Sequence, residues 1–425
     1  MYWASTKHVC CVLNSNQEKQ TFKDPYSSYD FIVGVYAQEI LKPDKNPFED
    51  LKSFSEMTGD YLFGFFSYDL KNTIENLQSR NRDGLHFPEV FFFRPQYVIT
   101  LQGNKMKIEF LEKQTSEETV NALFKEISDF IIEDSFTSTP LIQQHVSKTE
   151  YISNVRKIKE HIQRGDIYEL NYCMEFYAEA ELSPASIYWK LNETSPMPFS
   201  AFFKHGQRYA ICASPERFLA KRGNKIISQP IKGTAKRVGS KKDNDEEKTH
   251  LRKNLKEQSE NVMIVDLVRN DLSRTAKKAS VQVEELFGVY SFNQLHHMIS
   301  TVVSEKRNDV SFTDVIKYAF PMGSMTGAPK IRAMELIEQY EITKRGLYSG
   351  CVGYITPEQD FDFNVVIRSI LYDEKESYLS FMVGSAITAN CDDEKEYEEC
   401  LLKARAMLEV LSSLGTQKEH LQFIP

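Results

Sequence analysis

The chain lacks several features that would place it in common classes of protein. No window of about 18 apolar residues occurs, so no transmembrane helix and no membrane partner are expected. No long basic run occurs and the net charge is −8, so nucleic acid is not expected as a partner. The seven cysteines include no C-x-x-C pair, which argues against a zinc site and predicts a reduced, cytoplasmic protein.

Two further signatures are missing. The stretch from Met1 to Leu13 contains only a short apolar run, so we expect no signal peptide. The run from Gly323 to Lys330 lacks the G-x-x-x-x-G-K-[ST] spacing, which excludes a Walker phosphate loop. It indicates instead the start of a helix whose free N–H groups suit an anion, although ordinary helix capping explains it equally well.

What the chain does contain is the composition of a large folded protein. Its 425 residues are 41% hydrophobic and 26% charged, which is ample for a sizeable core. Residues 1–135 are rich in strand patterns and end in a polar stretch that marks a boundary; residues 147–415 form the second part. Helices are predicted at 120–132, 149–163, 245–262, 311–319, 327–340 and 393–413, and strands at 199–204, 208–213, 225–230, 349–355, 363–371 and 377–383. Long helices mixed with many strands, without a regular βαβ alternation, predict an α+β fold.

One lysine stands in a local sequence that would hold it in place. Lys232 lies in the run Gln229-Pro230-Ile231-Lys232-Gly233-Thr234, where proline restricts the backbone and glycine frees it. An amine held in this way acts as a nucleophile if its pKa is lowered. Most lysines are solvated surface charges, so this run alone is weak evidence.

Two predicted helices each carry a Glu-x-x-Glu pair, Glu257 with Glu260 and Glu396 with Glu399. The i, i+3 spacing places both carboxylates of a pair on one helix face. Two such pairs facing each other would form an oxygen-rich pocket that suits Mg²⁺. On spacing alone, solvated surface carboxylates are the better explanation. The first pair, however, leads into the apolar run Val262 to Leu272, which is not typical of a free surface.

Three more residues are candidates for a site. Arg368 is a charge within an apolar strand pattern, where it needs a partner, either a bound carboxylate or an internal salt bridge. Glu216 follows a predicted strand and would point into a cleft. His297 precedes an apolar run and could equally be a core histidine with its hydrogen bonds satisfied.

Taken in order from Gly165 to Arg405, six such runs together resemble the chorismate-utilising enzymes. This family includes anthranilate, aminodeoxychorismate and isochorismate synthases. The resemblance implies an α/β sandwich, in which two packed β-sheets are flanked by helices, with residues 147–415 as a chorismate-binding catalytic domain. It also implies that chorismate is bound with the help of Mg²⁺.

The resemblance implies a role for each matching residue. Glu260 and Glu399 would bind Mg²⁺, with Glu257 and Glu396 contacting the ion directly or through water. Glu216 would be the general acid that protonates the departing C4 hydroxyl, and His297 would lie near it. The substrate would be bound by Gly233, Thr234, Ser324, Tyr348, Arg368, Gly384, Ser385, Ala386 and Lys403. Two positions depart from the family pattern, Ala386 in place of a second loop glycine and Asn261 in place of histidine, and neither removes a charged group.

Two positions discriminate between reactions within the family. Where isochorismate and salicylate synthases carry a lysine that activates water, this chain has Glu169, so water addition is disfavoured. Where anthranilate synthases have alanine, this chain has Lys232, within the Pro-Ile-Lys-Gly-Thr run of aminodeoxychorismate synthases. The lysine would attack C2 as the C4 hydroxyl leaves, and ammonia would then enter at C4 and expel it, giving 4-amino-4-deoxychorismate for p-aminobenzoate and folate synthesis. We expect Mg²⁺ and arginine to lower the pKa of Lys232, and the pKa of Glu216 to be raised.

The ammonia requires a source. Glutamine amidotransferases use a cysteine in a Gly-x-Cys-x-Gly turn, and no cysteine of this chain has that context, so we expect a separate glutaminase subunit as partner. The alternative enzyme is anthranilate synthase component I, disfavoured by Lys232 and by Pro198-Phe199-Ser200, a poor match to the tryptophan-binding run of inhibited relatives. A catalytically inactive chorismate-binding regulatory protein is disfavoured because all four glutamates of the metal site are present.

Overall fold

The computed structural model describes residues 1–111, 116–131, 139–237, 240–292 and 295–414. In this part of the chain the helices are α1 (Tyr2–Ser5), α2 (Pro47–Thr58), α3 (Lys71–Ile74), α4 (Glu117–Ser128), α5 (Lys148–Arg164), α6 (Pro184–Thr194), α7 (Lys241–Lys253), α8 (Leu255–Ser273), α9 (Phe312–Ala319), α10 (Lys330–Tyr340) and α11 (Asp393–Ser412).

The strands of the same residues are β1 (Val9–Asn14), β2 (Phe31–Ile40), β3 (Leu62–Phe66), β4 (Val90–Gln102), β5 (Lys105–Phe110), β6 (Gln143–Gln144), β7 (Glu169–Glu179), β8 (Phe199–His205), β9 (Arg208–Ser214), β10 (Arg217–Arg222), β11 (Lys225–Gln229), β12 (Ile231–Lys236), β13 (Gln282–Ser291), β14 (Leu295–Glu305), β15 (Gly327–Ala328), β16 (Cys351–Ile355), β17 (Phe361–Asn364), β18 (Ser369–Asp373) and β19 (Tyr378–Ile387). The predicted mixture of helices and strands in an α+β fold is confirmed.

Antiparallel pairing joins the beginning of the chain to its end. Strand β1 pairs with both β2 and β8, and β3 pairs with both β4 and β16. The strands of residues 1–111 are therefore hydrogen-bonded to strands of the second predicted part. The predicted boundary at residue 135 lies outside the described residues, so the division into 1–135 and 147–415 stays a prediction.

The core consists of two main apolar clusters, and alternating strand residues face one or the other. In β1, Val9 and Cys11 contact the first cluster, whereas Cys10 and Val12 contact the second. This follows from the two-residue repeat of a strand, which directs successive side chains to opposite faces. The seven cysteines are buried with free thiols. Among the described helices, none is long and apolar enough to cross a membrane.

Local signals place the ends of the helices that support the site. Helix α5 begins with a capping box, in which the Ser147 hydroxyl accepts from the Glu150 N–H and the Glu150 carboxylate accepts from the Ser147 N–H. It ends at Gly165, whose φ of 83° suits a residue without a Cβ. Helix α11 begins at the Asp392 cap, which accepts from two backbone N–H groups.

Three predicted elements are corrected. The helix predicted at 245–262 is broken at Asn254, whose side chain caps α8 by accepting from two backbone N–H groups. The strand predicted at 363–371 is interrupted between β17 and β18, and Arg368 lies in the gap. The helix predicted from Gly327 begins only at Lys330; Gly327 pairs with Leu170 in a short ladder instead.

Candidate active site

Lys232 lies on β12, which pairs with β14 and packs beside α8. The next residue, Gly233, has a φ of 94°, a conformation that residues with side chains rarely adopt. A Cβ at this position would lie 3.0 Å from Oε2 of Glu257. The glycine therefore allows the lysine-bearing strand to approach the first acidic pair closely.

The Lys232 amine is buried and paired. Its Nζ donates to Oε1 of Glu169 at 2.7 Å, and the two side chains are 11% and 1% exposed. The other carboxylate oxygen of Glu169 is buried without a hydrogen-bond partner among the described residues. In the sequence, Glu169 is notable only because a water-activating lysine is absent from this position. In the structure it is the partner of the candidate nucleophile.

The expectation of a lowered pKa for Lys232 is wrong for this arrangement. Burial of the amine does favour the neutral form, but the carboxylates of Glu169 and Glu260 outweigh it and raise the pKa. The sequence argument counted only cations near the amine. In the structure the amine contacts the carboxylate of Glu169, and the charges of Glu260 and Glu399 act on it as well.

Glu216 has the environment of a general acid. It is 4% exposed, and Oε1 accepts a hydrogen bond from Oγ of Ser324 at 2.7 Å. Burial raises its pKa to about 7, against a partial opposing effect of the Ser324 hydroxyl and the Lys232 amine. The predicted rise is confirmed, and the carboxyl is partly protonated near neutral pH.

His297 lies on β14 directly opposite Thr234 of β12. Its Nδ1 and Oγ1 of Thr234 are 2.9 Å apart, while Nε2 is buried with no hydrogen-bond partner in the described part of the chain. Burial, reinforced by the nearby Arg368 cation, holds the pKa of the imidazole well below its usual range. The ring is therefore neutral at physiological pH, with one nitrogen left to contact a ligand.

Arg368 lies between β17 and β18 with a φ of 49°, in the left-handed region. No hydrogen bond or ion pair joins its guanidinium to the residues that the structure describes. Burial lowers its pKa to about 10, opposed only by the charge of Glu216, so it remains a cation at neutral pH. A desolvated guanidinium without an internal partner suits a bound carboxylate, the first of the two alternatives raised by the sequence.

The two acidic pairs come from α8 and α11. Glu396 is 2% exposed and accepts a hydrogen bond from the Ser385 hydroxyl. Burial raises the pKa of Glu260 to about 7, and its Oε1 is buried without a hydrogen-bond partner among the described residues. Burial also raises the pKa of Glu257, and the Glu399 charge adds to this effect.

Lysines neutralise these carboxylates in the structure. Nζ of Lys256 is 3.3 Å from Glu396 and 3.7 Å from Glu260, so one ammonium bridges the two helices. Sequence reasoning missed Lys256, although its i, i+4 spacing from Glu260 was a visible signal. Glu399 is paired with Lys403 at 2.8 Å.

The donor set fits a hard cation. It consists of carboxylate oxygens, one of them buried without a hydrogen-bond partner, as Mg²⁺ prefers. As the described side chains stand, no three acidic, histidine or cysteine groups converge closely enough to enclose a metal ion. The assignment of Mg²⁺ to Glu257, Glu260, Glu396 and Glu399 therefore stays a prediction.

The predicted substrate-binding residues around Gly384 form part of a strand. Gly384, Ser385 and Ala386 lie on β19 and pair with β7, which corrects the loop expected from the sequence. A Cβ at Gly384 would lie 2.4 Å from Sγ of Cys173, so only glycine fits there. The carbonyl of Gly384 accepts from Nζ of Lys403 at 2.8 Å.

Two other predicted contacts are placed as follows. Tyr348 is 3% exposed, and its hydroxyl is 3.8 Å from Sγ of Cys173, next to the glycine on β19. Ser324 lies in a 3₁₀ turn, Gly323–Met325, and not at the first turn of a helix as its run predicted. It reaches the site through its hydrogen bond to Glu216.

Solved structures define the class of this fold. A crystal structure of anthranilate synthase component I from Streptococcus pneumoniae superposes with a TM-score of 0.80 at 24% identity, covering 92% of this chain and 94% of that one. The chain thus has the anthranilate synthase component I fold, and in it the buried acid Glu216 lies within electrostatic reach of Lys232 and Arg368. Residues 7–409 match the family described as chorismate binding enzyme, and the chain belongs to that family.

Curated relatives carry two names. Aminodeoxychorismate synthase component 1 of Escherichia coli is 31% identical over 350 residues, 82% of this chain and 76% of that protein. The chloroplastic aminodeoxychorismate synthase of Arabidopsis thaliana is 33% identical over 428 residues, 95% of this chain but 45% of that protein. This chain therefore spans less than half the length of the plant relative. Proteins named anthranilate synthase component 1 match at 30% identity.

Proposed function

We propose that this chain is the component of an aminodeoxychorismate synthase that converts chorismate and ammonia into 4-amino-4-deoxychorismate. The observation that carries the proposal is the Lys232 amine, which is largely buried and lies within electrostatic reach of Glu216. An amine positioned beside a protonated acid suits the exchange of one substituent on a small ring for another.

Chorismate would be held by its two carboxylates. The Arg368 guanidinium, which forms no ion pair with the described residues, supplies one cation, and Lys403, which also pairs with Glu399, supplies a second. A bound Mg²⁺, held by the glutamates of α8 and α11, would supply further positive charge for a carboxylate of the substrate. The neutral His297 would offer its free Nε2 to the substrate without adding charge.

The chemistry then divides between two side chains. Lys232 forms a bond to C2, both ring double bonds shift, and the C4–oxygen bond breaks. Glu216 gives its proton to the departing oxygen, which leaves as water. Ammonia next attacks C4, both double bonds shift back, and the lysine amine leaves C2.

The ammonia would come from a glutaminase subunit. This expectation rests on the cysteines, because each of the seven is buried and none lies in a nucleophile turn of the Gly-x-Cys-x-Gly type. The names of the bacterial relatives contain "component 1", which supports a two-component enzyme.

The competing proposal is formation of anthranilate. It is supported by the similarity to proteins of that name and by the shared fold, whereas Lys232 stands against it. Lys232→Ala should abolish ammonia-dependent formation of aminodeoxychorismate while leaving binding of chorismate within a few-fold. Lys204→Ala, on the remote strand β8, is the matched control. Product formation unchanged in Lys232→Ala would exclude the lysine as the nucleophile.

A further inference from the structure

The contact between Lys232 and Glu169 bears on how the lysine loses its proton before it reacts. The 2.7 Å contact joins two nearly inaccessible side chains, 11% and 1% exposed. An ammonium cannot attack carbon, because its nitrogen has no free electron pair. The proton of Lys232 must therefore leave before the bond to the substrate forms, and the amine has little contact with water to receive it.

We propose that Glu169 is the general base that takes this proton and so activates Lys232. The inference rests on the proposed function, since it assigns the proton transfer of that reaction. The carboxylate already accepts the hydrogen bond along which the proton would move, which satisfies the distance requirement for a general base.

Other charged groups surround the amine, but among the described carboxylates only Glu169 accepts a hydrogen bond from it. Glu260 contacts Lys256 and Glu399 contacts Lys403, and neither forms a hydrogen bond to Lys232 in the described structure. Glu216 accepts from Ser324 and must deliver a proton, not remove one. The groups whose charges act on Lys232, or on which its charge acts, are Glu169 of β7, Glu257 and Glu260 of α8, Glu399 and Lys403 of α11, and Glu216.

Strand pairing fixes the backbone of the residue that carries this carboxylate. Glu169 is the first residue of β7, and its register partner is Ala328 of the short strand β15. The next residue, Leu170, pairs with Gly327 on one side and with Ile387 of β19 on the other. A base held by two neighbouring strands is preorganised, and little entropy is lost when the proton moves.

The proton balance closes over one turnover. Glu169 receives the proton of the Lys232 ammonium, and the neutral amine bonds to C2 as Glu216 protonates the leaving hydroxyl. When ammonia attacks C4, the lysine nitrogen leaves C2 as a neutral amine and recovers its proton from Glu169. Glu216 regains a proton from solvent, so the sum is chorismate plus ammonium giving aminodeoxychorismate and water.

Glu169→Gln tests the assignment, because glutamine keeps the size and the hydrogen-bond acceptor but not the basicity. Single-turnover bonding of chorismate to Lys232, followed by intact-protein mass spectrometry without ammonia, should slow by at least about 100-fold. Chorismate affinity by calorimetry should change less than threefold. A purely electrostatic role gives the opposite sign, since losing the anion lowers the lysine pKa and provides more free amine. An unchanged or faster reaction would therefore overturn the proposal.

A second variant protects the test against simple misfolding. Glu169→Ala opens space beside the amine, and added formate should restore the bonding rate at least tenfold over chloride at equal ionic strength. Glu179→Gln, at the exposed end of the same strand, is the control. No formate rescue of a chorismate-binding Glu169→Ala protein would count against the base. If the wild-type chain itself never labels Lys232, the proposed function fails instead.

Discussion

Replacing Glu216 by glutamine should make the protein more stable above neutral pH while removing its activity. Burial raises the Glu216 pKa from 4.5 to about 7. The folded protein therefore favours the neutral carboxyl, and this contribution to stability is complete below pH 4.5 and is lost as the pH rises towards 7. This rise in the pKa from 4.5 to about 7 corresponds to ~3 kcal/mol of differential stability. Glutamine is never charged, so the Glu216→Gln variant keeps this contribution to stability as the pH rises.

Urea unfolding at two pH values measures this difference. At each pH the quantity of interest is the free energy of unfolding of the Glu216→Gln variant minus that of the wild type. This difference should be ~3 kcal/mol larger at pH 8 than at pH 4.5. Glu335→Gln, on the exposed face of α10, should show no such change with pH. A Glu216→Gln difference that is the same at both pH values would refute a buried carboxyl with a raised pKa. A wild-type rate that does not fall as the pH rises through 7 would refute its role as the acid.

Three further predictions concern charges. Arg368→Lys should raise the KM for chorismate by roughly 10- to 100-fold in steady-state kinetics, because a lysine cannot replace the planar pair of donors of the guanidinium. An unchanged KM would contradict the binding of chorismate by Arg368. Lys256→Gln should tighten Mg²⁺ binding measured by calorimetry, because the ammonium that bridges the two helices competes with the ion. The control Lys253→Gln should leave Mg²⁺ binding unchanged. Weaker Mg²⁺ binding by the Lys256→Gln variant would contradict this competition. Arg217→Met should cost ~3 kcal/mol in urea unfolding, because it removes a buried guanidinium that pairs with Asp24 and Asp362, and Asp24 is then left without an ion pair among the described residues whereas Asp362 keeps Arg222. A loss below about 1 kcal/mol would contradict that account.

The sequence predicts elements whose ends are marked by local chemistry. Helix α5 was predicted at 149–163 and is observed at Lys148–Arg164, because the Ser147 capping box and Gly165 fix both ends. The Gly103-Asn104 dipeptide is likewise a local turn signal, and it joins the antiparallel strands β4 and β5. The sequence does not predict the break between α7 and α8 at Asn254. Asparagine can cap a helix but can also lie inside one, so the residue type alone does not decide.

The site was predictable where its residues form runs and not where it depends on contacts between distant parts of the chain. Lys232 and Glu169 are 63 positions apart, and nothing local indicates that they form a pair. The lowered pKa expected for the lysine was wrong for this reason. Arg368 was recognised as an isolated charge, but its left-handed conformation between two strands depends on the pairing of β17 and β18 with other strands.

The central claim is that the cleft aminates chorismate at C4. The most direct test incubates the purified chain with chorismate, Mg²⁺ and an ammonium salt, and identifies the product by chromatography and mass spectrometry. The account predicts 4-amino-4-deoxychorismate, formed in proportion to ammonia. Anthranilate as the main product would contradict it and would support the competing reaction.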